Sequence, residues 1–208
     1  MAQVKLGALC WNQYTDWASL RDAGVRADAL GYDSLWTWDH LYPIIGDPHG
    51  PFYEGWLTLA SWAETTKHVR IGLMVGANTF RVPTLTAKLA TTLDHISGGR
   101  AILGIGGAWF EEEHTDFGIE FGSGFPERLR WLGEAVQLMR GMLDGLDPSS
   151  PEGGHYRAHR TRNDPRPVQK HLPILIGGGG EQVTLKLVAK YADANNVGGG
   201  IENVRKKE

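Results

Sequence analysis

The sequence has little cysteine, no long apolar run and no block of charge of one sign. Cys10 is the one cysteine in 208 residues, so a disulfide cannot form within the chain. We therefore expect a reducing compartment, by default the cytoplasm. No segment approaches the roughly 20 consecutive apolar residues of a membrane-spanning helix, and the first residues, MAQVKLGALCWNQ, lack the apolar stretch of a secretion signal. Neither membrane insertion nor export is expected.

The charge of the chain is low and scattered. Lys and Arg number 21 against 24 Asp and Glu, which gives a formal net charge of -3. Because the cations form no basic stripe, nucleic acid is not an expected partner, and a small, neutral or weakly charged molecule is favoured. The 41% hydrophobic content is that of an ordinary globular protein, and we expect one domain over residues 1–208.

Glycine, in contrast, is abundant. Most of the 28 glycines bracket short apolar runs, and this pattern is typical of buried strands. The sequence predicts six strands: Val4–Trp11, Ser34–Trp38, Arg70–Ala77, Ala101–Gly106, Pro173–Gly177 and Ala194–Gly198.

Helical patterns lie between these strands. Three helices have clear start and stop residues, namely Thr15 to Leu30, Pro83 to Gly98 and Pro126 to Gly145. Two further helices are predicted at Glu54–Lys67 and Glu181–Tyr191. Residues 147–169 are rich in Pro, Gly and Arg and lack periodicity, so they are predicted to form a long irregular excursion.

Strands and helices therefore alternate along the whole chain. This order predicts an α/β fold built from βαβ units, with a parallel sheet buried on both faces. The sheet can be doubly wound and open, or it can belong to a (β/α)₈ barrel. Either architecture places function at the carboxyl ends of the strands.

Two ionisable residues follow the second predicted strand. In SLWTWDHLYP, Asp39 and His40 come directly after an apolar, aromatic run. Because an unpaired buried carboxylate is unfavourable, such a pair either serves a site at the rim or is solvated in a loop. Adjacent residues of an extended chain point to opposite faces, which favours independent roles for the two side chains.

Other unusual residues collect at the same rim. Glycine-rich turns follow the fourth and fifth predicted strands, and a glycine run before a helix exposes backbone N–H groups that suit a phosphate. The dinucleotide fingerprint is absent, because Trp109 and Gln182 stand where its third glycine would fall. NAD is therefore disfavoured, while tight turns without any ligand remain an alternative.

Four segments together resemble the luciferase-like monooxygenase superfamily, in particular its branch that uses the deazaflavin coenzyme F420. They are SLWTWDHLYP, GLMVGANTFRVP, ATTLDHISGGRAILGIGGAWFEEEH and PILIGGGGEQVTLKLVAKYADA. The resemblance spans essentially all of the chain. It implies a TIM-type (β/α)₈ barrel that holds coenzyme F420, or alternatively FMN, at the carboxyl ends of its strands.

The resemblance also implies roles for particular residues. His40 is the expected catalytic residue, and Met74 and Val75 occupy the position of a non-prolyl cis peptide in relatives. The expected cofactor contacts are Asp39, Met74, Val75, Gly76, Gly106, Gly107, Gly177, Gly178, Gly179 and Gly180. The expected substrate contacts are Trp11, Asn12, Trp109 and Glu113. The aromatic residues among them fit a substrate with apolar surface, and they also fit ordinary packing.

The implied chemistry is hydride transfer between the cofactor ring and a small organic substrate, with His40 supplying or removing a proton. A reductase that supplies electrons is a possible partner. The sugar-phosphate dehydrogenase branch carries an acidic glutamate where this chain has Gly107, so its proton chemistry cannot be transferred. Residues Glu111 to His114 could substitute, although three consecutive acids also fit a solvated helix start.

The length of the chain departs from the family pattern. An eight-stranded barrel takes about 250 residues, and only about six βα units are predicted here, with the last strands absent. The alternative is therefore a shortened relative that binds a flavin, or nothing, without turnover. Open strand edges favour pairing with a second chain, so a homodimer is expected. No metal site is predicted, because Gly153, Gly154 and Pro165 argue against a helix that would pair His155 with His159.

Overall fold

Six parallel strands form the centre of the fold in a computed structural model that describes residues 4–207. The strands are β1 (Gly7–Leu9), β2 (Ser34–Thr37), β3 (Arg70–Leu73), β5 (Ala101–Gly106), β6 (Ile174–Gly177) and β7 (Ala194–Asn196), joined in that order, and a short strand β4 (Gly76–Ala77) pairs with β5. Every pair of strands is parallel. Within residues 4–207, β1 and β7 are not paired with each other, so the described sheet is an open arc.

Seven helices accompany the strands in the described part of the chain. They are α1 (Trp17–Ala29), α2 (Gly55–Thr65), α3 (Pro83–Ser97), α4 (Glu111–Asp116), α5 (Phe125–Asp144), α6 (Thr184–Tyr191) and α7 (Ile201–Arg205). None of them is both long enough and apolar enough to cross a membrane. The alternation of strands and helices confirms the predicted parallel α/β architecture.

The core lies between the sheet and the helices. Leu35, Ile71 and Leu103 on neighbouring strands are fully buried, as expected for strands that are covered on both faces. The apolar stripe of α5 is also confirmed, because Leu132, Val136 and Met139 are completely buried where α5 packs against α3. The periodicity of the sequence therefore identified the faces that hold the fold together.

Helix boundaries agree with the sequence where a glycine ends the helix. Gly98 after α3 and Gly145 after α5 both adopt the left-handed conformation, with φ of 66° and 81°, which glycine adopts without steric penalty. The predicted cap of α1 was wrong by one residue. Asp16 rather than Thr15 caps this helix, since its Oδ1 accepts the Ser19 N–H at 2.9 Å, and a carboxylate is a strong N-cap acceptor.

Five of the six predicted strands were longer than the observed ones, and the first and third differ most. The first contains only Gly7–Leu9 instead of Val4–Trp11, because it lies at the edge of the sheet and Val4 and Leu6 are exposed. The third, predicted as Arg70–Ala77, divides into β3 and β4 around a cis peptide bond between Met74 and Val75. The cis peptide itself lies where the family resemblance implies one.

The glycine run after β6 does not lead directly into a helix, contrary to the prediction. Residues 181–183 are irregular, and α6 begins only at Thr184. The short helices α4 and α7 were not among the five predicted helices, although the three consecutive acids of α4 fit a helix start. Their brevity explains the omission, since fewer than two turns carry no clear periodicity.

The excursion at residues 147–169 has no helix or strand, as predicted. It is nevertheless anchored, because the Glu134 carboxylate of α5 accepts the N–H groups of His155 and Tyr156. His155 stacks on Trp131 with ring centroids 3.9 Å apart. His155 and His159 therefore do not share a helix face.

Candidate functional site

A cavity of about 340 Å³ opens at the carboxyl ends of the strands. Its wall brings together eleven of the predicted site residues: Asp39, His40, Met74, Val75, Gly76, Gly106, Gly107, Trp109, Glu113, Gly177 and Gly178. These residues come from four separate segments of the chain. The parallel sheet aligns them because each segment follows, or ends, a strand on the same edge.

Val75 occupies the floor of this cavity between two glycines. A β-carbon at Gly106 would lie 2.8 Å from Cγ2 of Val75, and one at Gly177 would lie 2.6 Å from the same atom. Both distances are too short for real carbon contacts, so the absence of side chains on β5 and β6 lets the Val75 side chain fit between them. The cavity floor next to the cis peptide is consequently formed by the apolar Val75 side chain.

Asp39 is held in a buried ion pair rather than left free. Its carboxylate accepts from both terminal nitrogens of Arg81, at 2.8 and 3.0 Å, and from the N–H of Ala77 at 2.9 Å. Burial raises the pKa of Asp39, and the adjacent Arg81 guanidinium opposes this rise. Although burial acts in the opposite direction, the Asp39 and Glu54 carboxylates raise the pKa of Arg81. Asp39 therefore joins β4 to the residues just before α3 at the cavity wall.

His40 has a different partner. Its Nδ1 lies 2.9 Å from Oε1 of Glu113, and Oε2 of Glu113 accepts the N–H of Leu41 at 2.8 Å. The Glu113 side chain is only 1% exposed, whereas Glu111 and Glu112 are exposed. The expectation of a solvated helix start thus holds for the first two acids of α4 and is wrong for the third.

Aromatic rings surround His40 on the open side. The Trp109 ring meets the His40 ring edge to face at 5.5 Å and stacks on Phe110 at 5.4 Å. Trp109 is 61% exposed, so its face is available to a molecule that enters the cavity. Phe125 lines the opposite lip and is also exposed.

The glycine run of residues 177–180 lies beside this cavity. It lines a second, adjoining space of about 370 Å³ that also includes Gly107 and Phe125. Gly178 has φ of 121°, a conformation that side chains rarely adopt. The run therefore presents bare backbone next to the floor, although α6 does not start there.

Two predicted substrate residues lie elsewhere. Asn12 is completely buried, and its amide donates to the carbonyls of Trp38 and Tyr53. Trp11 stacks on Trp38 with ring centroids 5.0 Å apart. Neither residue lines the cavity. Asn12 consequently connects the loop after β2 to the segment before α2. The substrate contact predicted for Asn12 does not fit a side chain that is completely buried.

Sequence reasoning missed Arg81 and Tyr156. Arg81 lies just before α3, where a cation is unfavourable next to the positive end of the helix dipole and needs a carboxylate nearby. This unfavourable position was the feature of the sequence that could have identified Arg81. Tyr156 accepts a hydrogen bond from the Asn78 amide at 2.9 Å, and burial raises its pKa to about 12. Both residues line a larger cavity of about 520 Å³ that shares no wall residue with the one around His40.

A flat heteroaromatic ring with a polar tail fits these surroundings. Val75 offers an apolar face at the floor, and the backbone of residues 177–180, which carries no side chains, lines the adjoining space. Met74, Val75 and Gly76 line the first cavity, and residues 177–180 line the adjoining space.

Known proteins resemble this chain in sequence and fold. An F420-dependent glucose-6-phosphate dehydrogenase of Intrasporangium calvum is 36% identical over 182 residues, which cover 86% of this chain and 52% of that protein. The enzyme of the same name from Amycolatopsis mediterranei is 34% identical over 175 residues, covering 83% and 50%. The chain thus spans about half the length of these relatives.

Solved structures agree at the level of the fold. An F420-dependent secondary alcohol dehydrogenase in complex with an F420-acetone adduct superposes with a TM-score of 0.83 at 23% identity, covering 94% of this chain and 58% of that one. A monooxygenase from Streptomyces bottropensis gives a TM-score of 0.80 at 24% identity, covering 98% and 63%.

The family model described as luciferase-like monooxygenase matches residues 5–205. This match covers every strand and helix described above, including all eleven predicted residues around His40. The chain belongs to the luciferase-like monooxygenase family.

Proposed function

We propose that this chain is the cofactor-binding part of an oxidoreductase that transfers hydride between coenzyme F420, or alternatively FMN, and a small organic substrate. One observation carries the proposal. The imidazole of His40, backed by a buried carboxylate, lies on the wall of the same cavity whose floor is Val75 and the cis peptide. A positioned ionisable ring on the wall of a cavity with an apolar floor suits acid–base catalysis next to a hydride-carrying cofactor.

Some of these residues serve cofactor binding and others serve proton transfer. When bound, the deazaflavin or flavin ring supplies the hydride acceptor or donor. Met74, Val75 and Gly76 would hold that ring, and Asp39 keeps the Ala77 backbone in place. His40 exchanges a proton with the substrate at Nε2, because Nδ1 is already engaged by Glu113.

The names of the relatives support coenzyme F420 over FMN. Both glucose-6-phosphate dehydrogenases named above are described as F420-dependent. For the substrate we propose a molecule with apolar surface, because the exposed face of Trp109 flanks His40.

A fluorescence titration of the purified chain tests this function. We expect saturable binding of coenzyme F420 and weaker or no binding of FMN. His40→Ala should bind the cofactor with unchanged affinity and lose turnover by roughly 10²–10⁴-fold, the usual contribution of general acid–base catalysis. His68→Ala is the matched control, since His68 is exposed and lies before β3, at the opposite end of the sheet.

Two outcomes would contradict the proposal. A folded protein that binds neither coenzyme would favour the non-catalytic alternative, and full turnover by His40→Ala would remove His40 from the reaction. A homodimer, an electron-supplying reductase and a cytoplasmic location stay proposals, and light scattering of the purified protein tests the first.

A further inference from the structure

Glu113 is a buried acid whose ion-pair partner is unusual. Within residues 4–207, its one ion-pair contact is to Nδ1 of His40, at 2.9 Å. Arginine or lysine does not approach it within ion-pair distance in the same residues. A buried carboxylate needs hydrogen-bond donors to offset its lost hydration, and Glu113 has two, the Leu41 N–H and the His40 ring.

This arrangement determines where the imidazole hydrogen lies. When Glu113 is ionised its carboxylate has no hydrogen to donate, and the hydrogen between the two groups then belongs to Nδ1 of His40. In the neutral ring the lone pair is then on Nε2, which makes no hydrogen bond to a side chain or backbone group of the described chain. His40 lines the reaction cavity, so the basic nitrogen is the one that remains available to substrate.

The neighbouring residue fixes Glu113 in turn. His114 is fully buried, and its Nδ1 contacts the Phe110 carbonyl at 2.6 Å while its Nε2 contacts Oγ1 of Thr79 at 2.7 Å. Burial lowers the pKa of His114. Helix α4 is thereby attached to the loop after β4, and the position of Glu113 does not depend on His40 alone.

We propose that Glu113 is a positioning residue that holds His40 in the Nδ1–H tautomer and so directs the basic Nε2 towards the substrate. The consequence for catalysis rests on the proposed function of His40, whereas the tautomer itself does not. Glu113 therefore acts through His40, and the substrate contact predicted for it from the sequence is reassigned.

The tautomer can be measured directly by nuclear magnetic resonance. Protein labelled with ¹⁵N-histidine gives long-range ¹H–¹⁵N correlations that distinguish a protonated from an unprotonated ring nitrogen, and His40→Gln identifies the His40 signals by their loss. At a pH above the titration of the ring, we expect a protonated Nδ1 and an unprotonated Nε2. The opposite assignment in the wild-type protein would overturn the proposal, whatever any variant does.

Glu113→Gln is the informative variant. Its amide oxygen can still accept the Leu41 N–H while its NH₂ group donates to Nδ1, so the His40 hydrogen should move to Nε2. Glu112→Gln makes the same chemical change at an exposed neighbour and should leave the His40 spectrum unchanged. An unchanged tautomer in folded Glu113→Gln would also count against the proposal.

Kinetics separate this role from simple loss of structure. In Glu113→Gln we expect kcat to fall by roughly 10²-fold or more with the affinity for coenzyme F420 unchanged, and Glu112→Gln should match the wild type. Wild-type turnover by Glu113→Gln with an inverted tautomer would show that the tautomer does not matter to the reaction. If coenzyme F420 fails to bind at all, the proposed function fails while the tautomer measurement still stands.

Discussion

At the scale of single residues, Asp39 and His40 show how two neighbours can serve one site in different ways. Asp39 turns into the protein and pairs with Arg81, while His40 faces the cavity and pairs with Glu113. Their opposite directions follow from the extended backbone between them. The independent roles preferred from the sequence therefore have a physical basis in separate partners.

Gly177 gives a prediction at the same scale. In Gly177→Ala the new methyl group would meet Val75 at 2.6 and 3.1 Å, so Val75 must move from the cavity floor. We expect a loss of about 1–3 kcal/mol in the free energy of unfolding from overpacking, measured by urea denaturation, together with weaker binding of coenzyme F420. Gly198→Ala is the control, since a β-carbon there meets no atom of residues 4–207 within 4 Å. Unchanged stability and binding in Gly177→Ala would show that Val75 is not confined by the glycine.

At the scale of elements, helix positions that look equivalent in the sequence differ in their neighbours. Gly24 in α1 and Gly133 in α5 are both interior glycines of regular helices. Gly24 lies against the buried indole of Trp62, whose Nε1 donates to the Leu20 carbonyl at 3.1 Å. Gly133 has only an ordinary contact with Leu187.

Alanine should therefore have opposite effects at these two glycines. Helix propensity alone predicts that each Gly→Ala change stabilises by roughly 0.5–1 kcal/mol. At Gly24 the β-carbon would lie 2.3 Å from Cδ1 of Trp62, so displacement of a core tryptophan should outweigh that gain and lower the melting temperature. At Gly133 the nearest atom is 3.6 Å away, and the melting temperature should rise. A rise in both variants would mean that α1 can shift away from Trp62 at little cost.

At the scale of the whole molecule, one end of the sheet forms the candidate site and the other end stabilises the fold. The carboxyl ends carry the cavity, and carboxylates connect the segments at the amino ends. Asp28 accepts the N–H groups of Lys67, His68 and Val69 just before β3. Asp193 accepts the N–H of Ile174 at the first residue of β6.

These two carboxylates predict how stability depends on pH. Partial burial acts to raise both pKa values. Three backbone N–H donors outweigh it and lower the pKa of Asp28, and the Ile174 N–H together with His171 and Arg140 outweighs it and lowers the pKa of Asp193. Their contribution to stability is therefore complete above the ordinary aspartate pKa and is lost as the pH falls through the lowered values. Between about pH 6 and about pH 2, unfolding free energies of the Asp28→Asn and Asp193→Asn double variant should fall less steeply than those of the wild type. Parallel pH curves would exclude the two aspartates as the origin of acid sensitivity.

The sequence by itself determined the order of strands and helices, the buried stripe of α5 and the end of the strand at which the site lies. These features follow from local periodicity, from glycine at helix ends and from the chirality of βαβ units. Its motifs also located the family and most of the residues around His40.

Only the tertiary structure decided which side chains meet. Glu113 lies 73 positions from His40, and Arg81 lies 42 from Asp39, so no local pattern relates the members of either pair. The burial that distinguishes Glu113 from the exposed Glu112 comes from packing against the loop after β2. The partners of buried charges depend on desolvation and on contacts distant in sequence, and both arise only when the chain has folded.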